Sequence, residues 1–135
     1  MSVILNDQDK TTLRTAAYGA VSLLAAAAGA DSPHKIATKG SIALNSATGL
    51  VGHVLAEKSS VGDLNGKSTA ELADQVLPAL TEAMELLKKQ APEEAANFRS
   101  TVLVALETGA EARKGGPGPA LTEMIRKITE ALDAA

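Results

Sequence analysis

Apolar residues recur at intervals of three and four positions in five stretches of the chain, which is the spacing of one face of an α-helix. Residues that start or stop helices, mainly Asn, Ser, Gly and Pro, bound each stretch. No stretch alternates apolar and polar residues as a half-buried strand does. The pattern therefore predicts an all-α bundle of about five helices with short loops, beginning at Asn6, Ser32, Ser68, Pro92 and Pro119.

The first predicted helix carries apolar residues around most of its circumference. It begins at Asn6, whose side chain can cap the free backbone N–H groups of the first turn, and it ends near Gly29. Asp7 and Asp9 complement the positive end of the helix dipole. A helix that is apolar nearly all round is normally buried, so we expect this one at the centre of the domain.

The second predicted helix contains several small residues and a position where the helix is expected to kink or break. Ser32 caps its start, and apolar positions then recur as far as Val54. Gly49 and Gly52 lie off this apolar stripe, on the polar side. Since each glycine inside a helix costs about 1 kcal/mol relative to alanine, we expect a kink or break within residues 49–52. Small residues on the stripe itself would let a neighbouring backbone approach closely, and these are Gly40, Ala43 and Ala47.

The last three predicted helices have clear boundaries. Ser68 and Glu71 form a capping-box pattern at the start of the third helix. Pro78 lies too deep in that helix for a first-turn proline, so we expect a bend there, and Pro92 marks the next boundary. The glycine- and proline-rich joint at residues 115–119 separates the fourth helix from the fifth.

Composition narrows the classes of function. A chain of 135 residues, 45% hydrophobic, is expected to form one domain, residues 1–135. The absence of cysteine excludes disulfides, thiolate zinc sites and cysteine nucleophiles. A net charge of −3, with one Tyr, one Phe and no Trp, argues against nucleic-acid binding, because that function calls for basic patches and aromatic stacking.

The most apolar stretch, Ala16–Ala30, is shorter than the roughly 20 residues that cross a bilayer, so no membrane span is expected. Ala28–Ala30 fits the pattern of a signal-peptidase site. Asp7 and Asp9, however, stand where a signal peptide carries positive charge. These features together predict an uncleaved cytoplasmic protein.

Carboxylates on the last two helices are the main candidates for chemistry. Glu107 and Glu111 are four residues apart on one helix face, and together with Glu123 they could hold a divalent cation in a metal-dependent hydrolase. The Glu-x-x-His motif of di-metal bundles is absent. Glu107 and Glu111 also lie roughly opposite the apolar stripe of their helix, which favours a solvated face. His34 and His53 would be about 30 Å apart along one helix, so they cannot share a metal ion unless that helix breaks and folds back, and both are expected on the surface.

Residues 104–132 resemble the second half of tellurite-resistance TerB-like proteins. The resemblance consists of an apolar helix ending at Ala110–Ala112, a Gly115–Gly116 joint, and a helix opened by Thr122–Glu123. Residues 21–42 look like a fainter first copy. The resemblance implies an all-helical fold with two pseudo-repeated halves and a stress-response context.

The same resemblance implies a metal site built from clustered acids. The residues that would correspond are Asp31, Glu111 and Glu123. The joint here has glycines where the family has an aspartate, and Thr38 and Lys39 stand where the first copy would have its glutamate. The resemblance therefore supports the all-helical fold of this chain more strongly than it supports a metal site.

We expect a protein without enzymatic activity that acts by self-association or by binding another protein. The nearly all-round apolar first helix and the small residues of the second helix together favour a homo-oligomer, although a monomer that covers both explains them too. Tyr18 is either a partner anchor or a core tyrosine whose hydroxyl reaches the surface. The alternatives are the metal-dependent hydrolase and a bundle that binds a small ligand or lipid in an apolar cavity; no bound cofactor is expected other than a divalent metal.

Overall fold

A computed structural model of the chain describes residues 5–28, 33–56, 68–113, 115 and 118–135. These residues form an all-α bundle and contain no strand, which confirms the predicted fold class. The bundle has six helices where the sequence predicted about five, because the second predicted helix is divided in two. The helices are α1 (Asp7–Ala27), α2 (Pro33–Asn45), α3 (Gly49–Ala56), α4 (Thr69–Gln90), α5 (Pro92–Glu111) and α6 (Pro119–Asp133).

The start of α1 is fixed by a reciprocal cap. The Asn6 side chain accepts a hydrogen bond from the Asp9 backbone N–H at 2.7 Å, and the Asp9 carboxylate accepts one from the Asn6 backbone N–H at 3.3 Å. The predicted cap at Asn6 is therefore confirmed. The predicted end of the first helix at Gly29 and the predicted cap of the second helix at Ser32 lie outside the described residues.

Helix α1 lies at the centre of the bundle, as its apolar circumference predicted. It packs against all five other helices. Leu13, Leu23 and Leu24 are fully buried, and alanines between them let the neighbouring helices approach. Because the chain itself covers the apolar surface of α1, this helix gives no reason to expect a partner.

The break between α2 and α3 falls slightly earlier than predicted, at residues 46–48 instead of 49–52. Gly49 begins α3 with a φ of 73°, a left-handed conformation that glycine adopts without strain. Gly52 is buried, which corrects the expectation that it lies on a polar side. A Cβ atom at Gly52 would lie 2.1 Å from the Ala47 carbonyl oxygen, so the break between the helices requires glycine at this position.

Helices α4, α5 and α6 close the bundle around α1. The Ser68 side chain caps α4 by accepting from the Glu71 N–H at 3.1 Å. The helix continues through Pro78, which is exposed. The Thr81 hydroxyl donates to the Ala131 carbonyl at 2.6 Å and so joins α4 to α6. Arg99 on α5 pairs with Asp133 at the end of α6. No helix of the described residues combines the length and apolar character needed to cross a membrane.

Arg14 is a buried cation that the sequence pattern did not single out. It lies on the central helix, and only 3% of its surface is exposed. One of its guanidinium nitrogens lies 3.4 Å from the Val54 carbonyl, near the C-terminal end of α3. The negative end of the α3 dipole therefore faces this positive charge, which helps offset the cost of burying it.

Tyr18 connects α1 to α2 and α3. Its hydroxyl lies 2.8 Å from the Leu55 carbonyl oxygen and 3.2 Å from the Asn45 side-chain oxygen. Of the two interpretations from the sequence, the partner anchor and the core tyrosine, the structure matches the second. Burial raises the pKa of the Tyr18 phenol above its usual range, although the nearby Asn45 amide and Arg14 charge lower it.

Titration of the folded chain should reveal this raised pKa. Because Tyr18 is the only tyrosine and tryptophan is absent, phenolate absorbance reports this residue alone. We expect a midpoint above about 10 in the folded chain and near 10 in urea. Tyr18 then contributes stability below its unfolded pKa, and this contribution is lost as the pH rises through the folded pKa. Equal midpoints in the two states would contradict the described burial.

Gly52→Ala should destabilise the chain by about 3 kcal/mol, because its Cβ atom would overlap the Ala47 carbonyl and force the break apart. Urea unfolding followed by circular dichroism measures the change. Gly115→Ala is the matched control. Gly115 also has a positive φ, 87°, but nothing lies within 4 Å of its Cβ position, so only about 1 kcal/mol of backbone strain is expected. Similar losses for both variants would refute the account of the break.

Candidate functional site

The acidic residues predicted from sequence lie on the surface of α5 and α6. Glu107 and Glu111 are exposed and line one shallow groove of about 250 Å³, with Thr122 and Ile125 on its far wall. Glu123 is exposed but does not line this groove. Asp31, the fourth predicted ligand, lies outside the described residues.

Glu123 is engaged by a basic neighbour on its own helix. The Arg126 guanidinium contacts the carboxylates of both Glu123 and Glu130, one turn away on either side. Its hydrogen bond lowers the pKa of the Glu123 carboxyl below the usual range. An exposed carboxylate held by an arginine is a helix-surface ion pair, and the contact supplies no separate support for a metal ligand.

Within the described ranges, no three His, Asp or Glu side chains come close enough to hold a metal ion. His34 and His53 are both exposed, in agreement with the sequence interpretation. The metal site formed by Asp31, Glu107, Glu111 and Glu123 stays a prediction, since Asp31 is not described.

A second groove, which the sequence reasoning did not identify, lies between α2 and α5. It has a volume of about 320 Å³. Ile42 and Val104, which are 57% and 52% exposed, are the exposed large hydrophobic residues of the described chain. The groove lining carries no charge and consists of Ala43, Ser46, Ala47, Thr48, Asn97, Ser100, Thr101 and Val104.

Glycines bring α2 and α5 close together next to this groove. A Cβ atom at Gly40 would lie 2.8 Å from a Val21 methyl carbon and 3.4 Å from the Ala105 carbonyl oxygen. At Gly109, a Cβ atom would lie 3.1 Å from the Ile36 carbonyl oxygen. Residues later in α2 thus meet residues earlier in α5, so the two helices run antiparallel.

Two side chains of α5 hold the other end of the groove in place. The Glu94 carboxylate accepts a hydrogen bond from the Val51 backbone N–H at 3.0 Å, in the first turn of α3. The Asn97 amide donates to the Thr48 carbonyl at 2.8 Å and to Glu94 at 3.3 Å. Because Thr48 lies in the break between α2 and α3, these contacts fix the break against α5.

Each helix presents an outward row of residues. Ser46, Ser100 and Val104 line the groove between α2 and α5. Glu107 and Glu111, further along α5, line the groove between α5 and α6. All members of both rows are exposed. Within the described chain, the charged members make no ion pair or hydrogen bond. The α2 stripe consists of Lys35, Lys39, Ile42 and Ser46, and the α5 stripe consists of Ser100, Val104, Glu107 and Glu111. We call these two stripes and the groove between them the α2/α5 face.

A sequence signal for this face exists, but it is weak. Ile42 interrupts the polar side of its helix, as Val104 does on α5. Single exposed apolar residues are common on protein surfaces, so neither position indicates an interface by itself. Only the antiparallel packing of α2 on α5 brings the two positions to one surface.

Comparisons with protein-family models, with curated proteins and with solved structures found no match to this chain. The candidate site therefore depends on the geometry of the described residues.

Glu94→Ala should destabilise the chain by about 1 kcal/mol, because the α3 N-terminus loses the carboxylate that accepts from Val51. Glu93→Ala is the matched control. Glu93 is an exposed neighbour in the same first turn of α5, so its loss should change stability by less than about 0.5 kcal/mol. Urea unfolding measures both variants. Equal effects would mean that Glu94 does not cap α3.

Proposed function

We propose that this protein is a non-enzymatic association module that binds a second copy of itself through the α2/α5 face. The observation that carries the proposal is the position of Ile42 and Val104. Val104 lines an uncharged groove that consists mostly of small residues, and Ile42 is the α2 neighbour of Ala43, another lining residue. Burying a side chain of this size contributes about 1.5–3 kcal/mol, so a partner on this face would gain most from these two residues.

The expectation of a homo-oligomer rested on the apolar first helix and on the small residues of the second helix. The fold removes the first reason, because the chain covers α1 itself. The α2/α5 face now supports the same proposal from a different surface. The shape of the face also favours association, because small residues in the groove let a helix from a partner approach closely.

The TerB-like resemblance provides a cellular context for this proposal. Residues 104–132 carry the resemblance, and Val104, Glu107 and Glu111 of the α2/α5 face fall within that range. The all-helical fold agrees with what the resemblance implies. We therefore propose that the module works in a stress-response system of the TerB-like kind, in the cytoplasm.

The alternative functions have less support among the described residues. For a metal-dependent hydrolase, Glu107 and Glu111 share a shallow groove, but Glu123 is paired with Arg126. For a bundle that binds a small ligand between the first two helices, the contact of Val21 with Gly40 is too tight to leave a cavity at that position.

The paired substitution I42S/V104S tests the proposal. We expect wild-type protein to sediment as a dimer and the variant to dissociate at least about tenfold more readily, because two apolar anchors are lost. Sedimentation equilibrium from about 1 μM to about 1 mM covers the affinities expected for a small face. Circular dichroism should show unchanged helix content, since both side chains are exposed.

Ala70→Ser, an exposed position on α4 away from the face, is the control and should associate like wild type. A wild-type chain that remains monomeric throughout this range would overturn the proposed function. An I42S/V104S variant that dimerises as tightly as wild type would show that association uses another surface.

A further inference from the structure

The two stripes of the α2/α5 face have the same spacing. Each contains four residues, separated by four, three and four positions along its helix. In the α2 stripe the order from the N-terminus is two lysines, an apolar residue and a serine. In the α5 stripe the reverse order, from the C-terminus, is two glutamates, an apolar residue and a serine. When the stripes are placed antiparallel, lysines face glutamates, the two apolar residues face each other, and the two serines face each other.

This match is not used inside one chain. Helices α2 and α5 of the same chain lie side by side, joined through Gly40 and Gly109, so both stripes point outward. Lys39 and Glu107 lie at the same level of the face, yet no ion pair links them. A complementary surface for either stripe would have to come from another molecule.

We propose that two copies pair about a twofold axis that runs parallel to α2 and α5, so that the α2 stripe of each copy lies on the α5 stripe of its partner. This inference rests on the proposed function and specifies its geometry. Such an axis keeps each residue at its own level while exchanging the two helices. The partner's α2 then lies antiparallel to α5, in the register that the intrachain contacts already show.

The register gives four contacts on each α2–α5 pair, and each occurs twice in the dimer. Lysine faces glutamate in the first two contacts, an apolar pair lies in the third, and serine faces serine in the fourth. These contacts join Lys35 to Glu111, Lys39 to Glu107, Ile42 to Val104, and Ser46 to Ser100. A twofold axis perpendicular to the helices would instead place α2 on α2. The two lysines of one copy would then face Ile42 and Ser46 of the other, so the charges would not be complementary.

Helix dipoles support an intermolecular role for these charges. Lys35 lies in the first turn of α2, where the dipole favours a negative charge. Glu111 is the last residue of α5, where the dipole favours a positive charge. Neither charge stabilises its own helix end, and the two lie at the same end of the face. A partner that supplies the opposite charge gives both residues a favourable contact.

Charge reversal tests the register through two variants, K35E/K39E and E107K/E111K. Each variant alone should dimerise at least about tenfold more weakly than wild type, because like charges face each other in both copies of the contact. An equimolar mixture should recover the wild-type affinity to within about threefold, since every lysine then faces a glutamate. Sedimentation velocity measures the fraction of dimer, and native mass spectrometry identifies the mixed dimer when one variant is uniformly labelled with ¹⁵N.

E82K/E85K is the control, because it reverses two exposed glutamates on α4 and should dimerise like wild type. Unchanged circular dichroism shows that each variant is folded. If I42S/V104S abolishes the dimer but the charge variants fail to recover on mixing, the register is wrong while the proposed function stands. If the wild-type chain is monomeric, the proposed function and this inference both fail.

Discussion

The close approach of α2 to α5 is the constraint from which the proposed surface follows. Gly40 and Gly109 leave space for carbonyl oxygens of the opposite helix, and Gly40 also accommodates a Val21 methyl group of α1. A larger residue at either position would push α2 outward. Because the two helices lie so close, their outward rows form one surface, and the small residues between them leave a groove. The same packing buries Ile36 and Leu44 beneath α2 and leaves Ile42 exposed.

The fold was predictable where signals are local. Asn6 and Ser68 are capping residues with partners three positions away, and α1 is apolar on nearly every side, so the sequence alone predicted both caps and the central helix. The break between α2 and α3 was predicted only approximately. Its position depends on Glu94 and Asn97, more than 40 residues further along the chain, and on the carbonyl of Ala47 against Gly52. Buried Arg14 depends on a similar long-range contact with α3, which periodicity does not reveal.

The candidate site was less predictable than the fold, because residue type alone draws attention to carboxylates. Glu107 and Glu111 were selected as ligands by their spacing, and the structure places them on an exposed row beside Val104. The same spacing also matches a pair of residues on α2, which becomes apparent only when α2 is placed next to α5. Lys35 and Lys39 repeat it with opposite charge on the adjacent helix. An association surface of this kind is a property of two helices in a fixed register, so neither helix predicts it separately.

Disulfide trapping tests whether two copies meet through α2 and α5 in this register. The chain contains no cysteine, so Ser46→Cys and Ser100→Cys introduce single reporters on the two stripes. A disulfide requires Cα atoms within about 7 Å of each other. We predict that a mixture of S46C and S100C chains forms the mixed disulfide, whereas each variant alone forms little disulfide-linked dimer. Self-linked S46C and S100C dimers without the mixed product, or no cross-link at all, would contradict it.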